Sequence, residues 1–344
     1  MARAVREVIS VIDMDVRRFT WQDGERTIRF GRGIAAEAVG VLGGPGYALL
    51  TTRRARAAAP EVVEAAATVI EVGPGRVDEL AGELLGTLEQ DRIVALGGGR
   101  VVDVAKALAG ASGGAARAMA IPTTLSGAEM TRVHRRAAGA PERAVNVRPA
   151  VVVNDPALSA SQPEPELAAS ALNALGHAAE GPCTPRANPV STLAALEAAR
   201  LIVGAYPRAG APDRDALALA ALLAGYTIDS TVYGLHHVLA QTLVRLAGAG
   251  HGPANAIMLP HTLGALAWRF PAWMERLGEA MGGDPAELAA ALCARTGATR
   301  LGELGVDGAA LDECAAAAAE RQELDLTPPR AGRAELRALY GDAL

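Results

Sequence analysis

Arg92-Ile93-Val94-Ala95-Leu96-Gly97-Gly98-Gly99-Arg100-Val101-Val102-Asp103-Val104-Ala105-Lys106 places a glycine triplet between a β-branched apolar run and an alanine-rich run. The first part reads as a buried strand, and Val101 to Ala109 as a helix whose first-turn amides face back toward the glycines. A junction of this kind forms a phosphate cradle. Glycine lets the backbone approach a pyrophosphate closely and supplies the positive φ that such turns often need. The spacing departs from G-x-G-x-x-G, so the common dinucleotide fingerprint is absent. Taken alone, the triplet also fits a plain strand-to-helix turn.

Outward from this junction, the first 155 residues or so alternate short β-branched runs with helical ones, as an open parallel sheet covered by helices requires. Phe19-Thr20-Trp21 and Thr27 to Phe30 flank the turn signal Asp23-Gly24. Tyr47 to Thr51, Thr68 to Val72, Arg92 to Leu96, Ala118 to Ile121 and Val151 to Asn154 are the further strand candidates. Pro122-Thr123-Thr124 then falls at a strand's carboxyl end, where nucleotides bind in such sheets. After Asp155-Pro156 the β-branched runs give way to long alanine and leucine helices, one of them from about Pro165 to Glu180 and closed by Gly181-Pro182. The expected class is α/β: a parallel, Rossmann-like nucleotide-binding domain over 1–156, then an all-α domain over 157–344.

The chain has 344 residues, 50% of them apolar and 21% charged, as in a globular protein large enough for two cores. A net charge of −5 and 3% aromatics leave neither the basic footprint nor the stacking platforms of a nucleic-acid binder. Cys183, Cys293 and Cys314 form no C-x-x-C pair, which argues against a disulfide framework or thiolate zinc site and for a reducing compartment. Met1 to Glu7 carries no long apolar segment, and no uninterrupted membrane-length apolar stretch follows. A cytoplasmic enzyme with no membrane or nucleic-acid partner is the expectation.

Five of the six histidines, His177, His236, His237, His251 and His261, fall in the helical half. His177 stands four residues after Asn173, so both project from one helix face. His237 and His251 are separated by a helical run and Gly248-Ala249-Gly250, which lets a second helix bring another imidazole back toward the first. Three imidazoles and a carboxylate would make an open site for Zn²⁺ or Fe²⁺, but the fourth group is Asn173, a poor ligand for either. Each histidine taken singly also fits a packed core residue.

Several blocks in this order resemble the group III, iron-containing alcohol dehydrogenase superfamily over nearly the whole chain. They are the glycine turn through Lys106, Ile121 to Thr131, Asp155-Pro156, Asn173-Ala174-Leu175-Gly176-His177-Ala178-Ala179-Glu180, Gly234-Leu235-His236-His237, and His251 to His261. Within the superfamily the chain is most similar to the maleylacetate reductases. The resemblance implies a dehydroquinate synthase-like architecture, a homodimer, and an NAD(P)-dependent oxidoreductase of aromatic compound catabolism. Gly97, Gly98, Gly99 and Asp103 would hold the pyrophosphate and ribose side of NADH or NADPH, with Thr123 and Thr124 lining the same cofactor. His177, His237 and His251 would be the ligands of a divalent metal, Fe or Zn, in metal-dependent relatives. Asn173 stands where those relatives have an Asp, and matches the reductases, in which the metal is dispensable.

The chain also departs from family patterns. Gln241 replaces a second histidine one turn after the first, the segment from Met130 to Asp155 is short, and Gly252-Pro253-Ala254-Asn255 is closer to the general alcohol dehydrogenases. Thr51-Thr52-Arg53-Arg54 lacks the acid that would bind a ribose 2′-hydroxyl, so Thr52 and Arg53 are placed at the cofactor and NADPH use is permitted.

The expected reaction is NAD(P)H-dependent reduction of a small oxo acid, such as maleylacetate to 3-oxoadipate, with His177, His237, His251 and Asn173 as the catalytic set. A dicarboxylate needs a basic anchor, for which His236 and Arg132 are the choice, with His134 and Arg135 as further candidates. Lys106 reads as structural or ribose-facing. The alternatives are a metal-dependent alcohol or aldehyde dehydrogenase, a dehydroquinate synthase-like lyase, and a non-catalytic NAD-binding protein.

Overall fold

The computed structural model describes residues 18–207 and 210–344; the stretch from Met1 to Glu7 lies outside them. Seven strands, β1 (Arg18–Asp23), β2 (Arg26–Gly31), β3 (Ala48–Thr51), β4 (Thr68–Glu71), β5 (Arg92–Gly97), β6 (Arg117–Pro122) and β7 (Val151–Asn154), form one sheet in the order β1-β2-β7-β6-β5-β3-β4. β1 and β2 pair antiparallel, with Gly24 at φ +60° in their turn. Every other pairing is parallel. β3, β5 and β6 are nearly continuous buried runs because parallel strands are covered on both faces. All five sequence-expected strands and the hairpin match these elements to within a residue at the ends, Tyr47 and Val72 lying just outside β3 and β4.

The chain leaves β3 outward to β4 but leaves β5 in the other direction, to β6 and β7. The crevice between the carboxyl ends of β3 and β5 is therefore the topological switch point, where such sheets take ligands. The helices within this half are α1 (Ala38–Val41), α2 (Arg53–Arg56), α3 (Pro60–Glu64), α4 (Val77–Glu83) and α5 (Gly99–Ala111). α5 follows the glycine turn, and ten of its residues are buried, including Lys106. The Lys106 ammonium donates to the carbonyls of Ala128, Thr131 and Val133 and lies 2.8 Å from Asp103. A fully buried cation needs that many acceptors, and by taking them it fixes the loop after β6. Its role is structural.

Past residue 156 the described chain is helical: α6 (Glu164–Glu180), α7 (Pro189–Gly204), α8 (Arg214–Thr231), α9 (Leu235–Leu246), α10 (His251–Arg269), α11 (Pro271–Met281), α12 (Pro285–Cys293), α13 (Ala310–Ala319) and α14 (Arg333–Asp342). α6 is buried from Leu167 to Glu180 except at Ser170, and its small residues allow close packing against α7, α8 and α10. Gly181 does not end α6 by turning left-handed; it stays helical at φ −52° and leads into a short 3-10 turn. Asp155 stands where β7 gives way to the helices, and its buried carboxylate accepts from the amides of Gly33, Ala35 and Ala157. The three cysteines are buried and unpaired. Among the described residues no single helix is long and apolar enough to cross a membrane.

Candidate active site

A cavity of about 800 Å³ lies over the carboxyl ends of the strands, walled on its other side by α6, α9 and α10. Gly99, Arg100, Asp103, Thr124 and Ser126 line one end, and Asn173, His177, His237 and His251 the other. The sequence-expected catalytic set is thus brought to one wall.

The glycine triplet has a different reason for its composition than the sequence suggested. None of the three glycines has a positive φ. A Cβ on Gly97 would lie 2.7 Å from Val101, on Gly98 3.1 Å from Thr124, and on Gly99 3.0 Å from Ser126. Smallness here lets the turn pack under the loop after β6. Gly97 and Gly98 support the cradle without lining it, and Thr123 is buried beside it. Gly98 is the N-cap of α5 and makes no side-chain cap, so the amides of Gly99 and Arg100 have no acceptor within the helix. With the Thr124 and Ser126 hydroxyls beside them, these donors fit a dinucleotide pyrophosphate. Asp103, partly exposed, is an acceptor suited to ribose hydroxyls.

Two expected cofactor residues are placed elsewhere. Thr52 spends its hydroxyl capping α2, accepting from the Ala55 amide, and Arg53 is exposed in the first turn of that helix. Neither lines the cavity. The loop Gly75-Arg76-Val77 after β4 lines it instead; no motif marked it in the sequence.

At the helical end, a Cβ on Gly176 would lie only 2.7 Å from the His236 ring, so glycine is what lets the paired histidines of α9 close on α6. The His177 and His237 rings then stack at 4.6 Å and 19°. The buried Glu180 carboxylate, one turn beyond His177, accepts from the amides of Gly234 and His236 and from Nδ1 of His237. This bond keeps the His237 proton on Nδ1 and turns an unprotonated Nε2 to the cavity. Asn173 Oδ1, His177 Nδ1 and His237 Nε2 are buried and lack partners among the described residues, which is the condition of groups awaiting a ligand.

Burial keeps these imidazoles neutral. Desolvation and then the rings of His237 and His251 hold His177 well below its ordinary value; desolvation followed by His251 takes His237 down to about 3. His251, at the mouth on the first turn of α10, is also lowered by desolvation. Neither His237 nor His251 is therefore an imidazolium in the empty cleft.

The metal expectation meets the same geometry. Among the described residues no three His, Cys, Asp or Glu side chains are placed to hold a metal ion. Nearly parallel stacking of His177 on His237 aligns ring faces rather than aiming two lone pairs at one point, and Asn173 brings no charge to offset a dication. The residues present do not fit a resident Fe or Zn.

The substrate-anchor expectations are corrected too. His236 is fully buried beneath the site, bonded through Nδ1 to the Thr262 hydroxyl and held to about 3, by desolvation first and His237 second. Arg132 is exposed and does not line the cavity, its amide held by Asp229. His134 lines the cavity, but both its ring nitrogens are taken as a loop brace, by the Arg135 carbonyl and the Val147 amide. Arg135 does line the cavity, and so does Gln241, at the position of the family's second histidine; Tyr233 and Arg245 line it too, and no motif marked either.

Comparisons with known proteins agree with this construction. The model of the Fe-containing alcohol dehydrogenase family, C-terminal, matches residues 167–344. Maleylacetate reductase 1 of Rhodococcus opacus is 34% identical over 257 residues, covering 72% of this chain and 71% of that protein. Maleylacetate reductase of Sphingobium indicum is 35% identical over 232 residues, 62% of this chain and 64% of that one. The crystal structure of maleylacetate reductase from Agrobacterium tumefaciens superposes with a TM-score of 0.81 at 26% identity, over 95% of this chain and 98% of that one. On the matched helical half, the shared architecture and the relatives' extent, the chain belongs to the iron-containing alcohol dehydrogenase family of oxidoreductases.

Proposed function

We propose that the protein is a maleylacetate reductase-like enzyme, reducing the conjugated alkene of a small oxo dicarboxylate with NADH or NADPH and without a resident metal. The observation that carries this is the donor set itself: three neutral imidazoles and an amide, with no carboxylate among them, around a cavity with an anion cradle at its far end. The nicotinamide supplies the hydride. As the alkene takes it up, negative charge appears on the conjugated ketone oxygen, and a proton must reach carbon.

The chain's part is to meet that charge. The Asn173 amide and the N–H tautomers of His177 and His251 are neutral donors of the kind whose removal costs about 10²- to 10³-fold in rate. An arriving dianion raises the pKa of the rings it approaches. Of the three, only His237 has a carboxylate behind it, that of Glu180, to hold the resulting imidazolium. His237 is thus the proton donor and Glu180 its positioning residue.

The proposal includes division near residue 156 into a cofactor half and a helical half, a cytoplasmic location, and a homodimer. The test is oxidation of NADH or NADPH with maleylacetate. One equivalent oxidised per 3-oxoadipate formed is expected; turnover of simple aldehydes alone would replace this reading with that of an alcohol dehydrogenase.

A further inference from the structure

The carboxylates that line the cavity are each matched by a cation of their own: Asp103 by Lys106, Glu166 by Arg54, and Asp229 by Arg148. Arg76, at the cofactor end, is held by Asp78 and Glu79. Arg245 has no such match: among the described residues it makes neither an ion pair nor a hydrogen bond, yet it lines the cavity from the exposed end of α9. Arg135, also on that wall, has only a loose 3.6 Å approach to Asp78. Burial, then Arg321, then Arg135 lower the Arg245 pKa, and Tyr233 and Glu323 oppose them more weakly. Arg321 is itself engaged through Nη2 by Glu323, Tyr233 and Gln241, with Nη1 buried and unpartnered among the described residues.

Position on α9 says what the anion is. His237, Gln241 and Arg245 follow at intervals of four and share the cavity-facing stripe with Val244. Arg245 lies about 12 Å along the axis from His237, at 1.5 Å per residue. Helical side chains lean toward the amino end, so a six-carbon chain whose reacting centre sits at His237 extends its far end toward this guanidinium.

We propose that Arg245, seconded by Arg135, is the specificity-determining clamp for the carboxylate of the substrate distal to the reacting alkene. The inference rests on the oxo-dicarboxylate reading above. A guanidinium donates two parallel hydrogen bonds to a carboxylate, which an alcohol or aldehyde cannot match.

The test is calorimetric binding of adipate and of hexanoate, six-carbon chains with two and one carboxylates, to the NADH-loaded wild type and to Arg245→Gln and Arg245→Lys. Wild type is expected to favour adipate at least tenfold, Arg245→Gln to lose that preference to within about threefold, and Arg245→Lys to keep part of it. NADH affinity in Arg245→Gln reports that the variant is folded and should stay within twofold. An unchanged adipate preference in Arg245→Gln, or a loss of NADH affinity instead, would overturn the assignment. Lost preference in a protein that does not reduce maleylacetate would refute the function and leave the clamp standing; maleylacetate turnover with an unaltered preference would do the reverse.

Discussion

Glu180 shows how one side chain sets the chemistry of another. Its two oxygens are fully committed, one to the amides of Gly234 and His236 and the other to Nδ1 of His237. Burial pushes its own pKa up, opposed by His236 and these hydrogen bonds. In Glu180→Gln the remaining oxygen is claimed by the two backbone amides, and the NH₂ group faces Nδ1. His237 then carries its proton on Nε2 and loses the negative charge that would hold an imidazolium. The expected result is a loss of kcat of about 10²- to 10⁴-fold, the range of general acid catalysis, with NADH affinity retained. Loss of the carboxylate also moves the pKa of His237 in the substrate complex down, so the pH profile of kcat should shift to lower pH. An equal fall at every pH would mean that Glu180 only supports the fold.

At the scale of elements, close approach of α6 and α9 is what makes a site of their histidines. Gly176 has no room for a methyl group, since its Cβ would press on the His236 ring at 2.7 Å and come within 3.5 Å of His237. Gly176→Ala is expected to cost about 1–3 kcal/mol by overpacking, seen in denaturant melts, and to lower kcat by displacing His237. Full activity would show that the interface yields without moving the ring. What was legible in the sequence follows the same division. The strands, the glycine turn and the Asn173–His177 face are local patterns, and they fell where period and spacing put them. His236 and His237 are adjacent letters about 100° apart on a helix, and only packing against Thr262 decides which one faces the core. Arg132 and Arg135 divide in the same way, because Lys106 fixes the intervening loop from outside it. Glu180 stood inside a quoted motif, but its partners lie 54 to 57 residues away, beyond any local rule.

For the whole molecule, the sheet and the helical half each supply what the other lacks. The carboxyl ends of β5 and β6 and the first turn of α5 offer amides and hydroxyls to a pyrophosphate; α6, α9 and α10 bring neutral imidazoles, an amide and a spare guanidinium to a small anion. Hydride transfer to an oxo acid needs both ends of one cavity, and the Arg54–Glu166 ion pair and the Leu125 amide on the Ser170 hydroxyl bridge the two halves beside it. On the function proposed above, this arrangement works without a metal. This is tested most directly by assaying protein stripped with a chelator for NADH and NADPH oxidation with maleylacetate, before and after adding Zn²⁺ or Fe²⁺. Full turnover by stripped protein, unchanged by either metal, is the predicted result; activity that returns only with metal would contradict it.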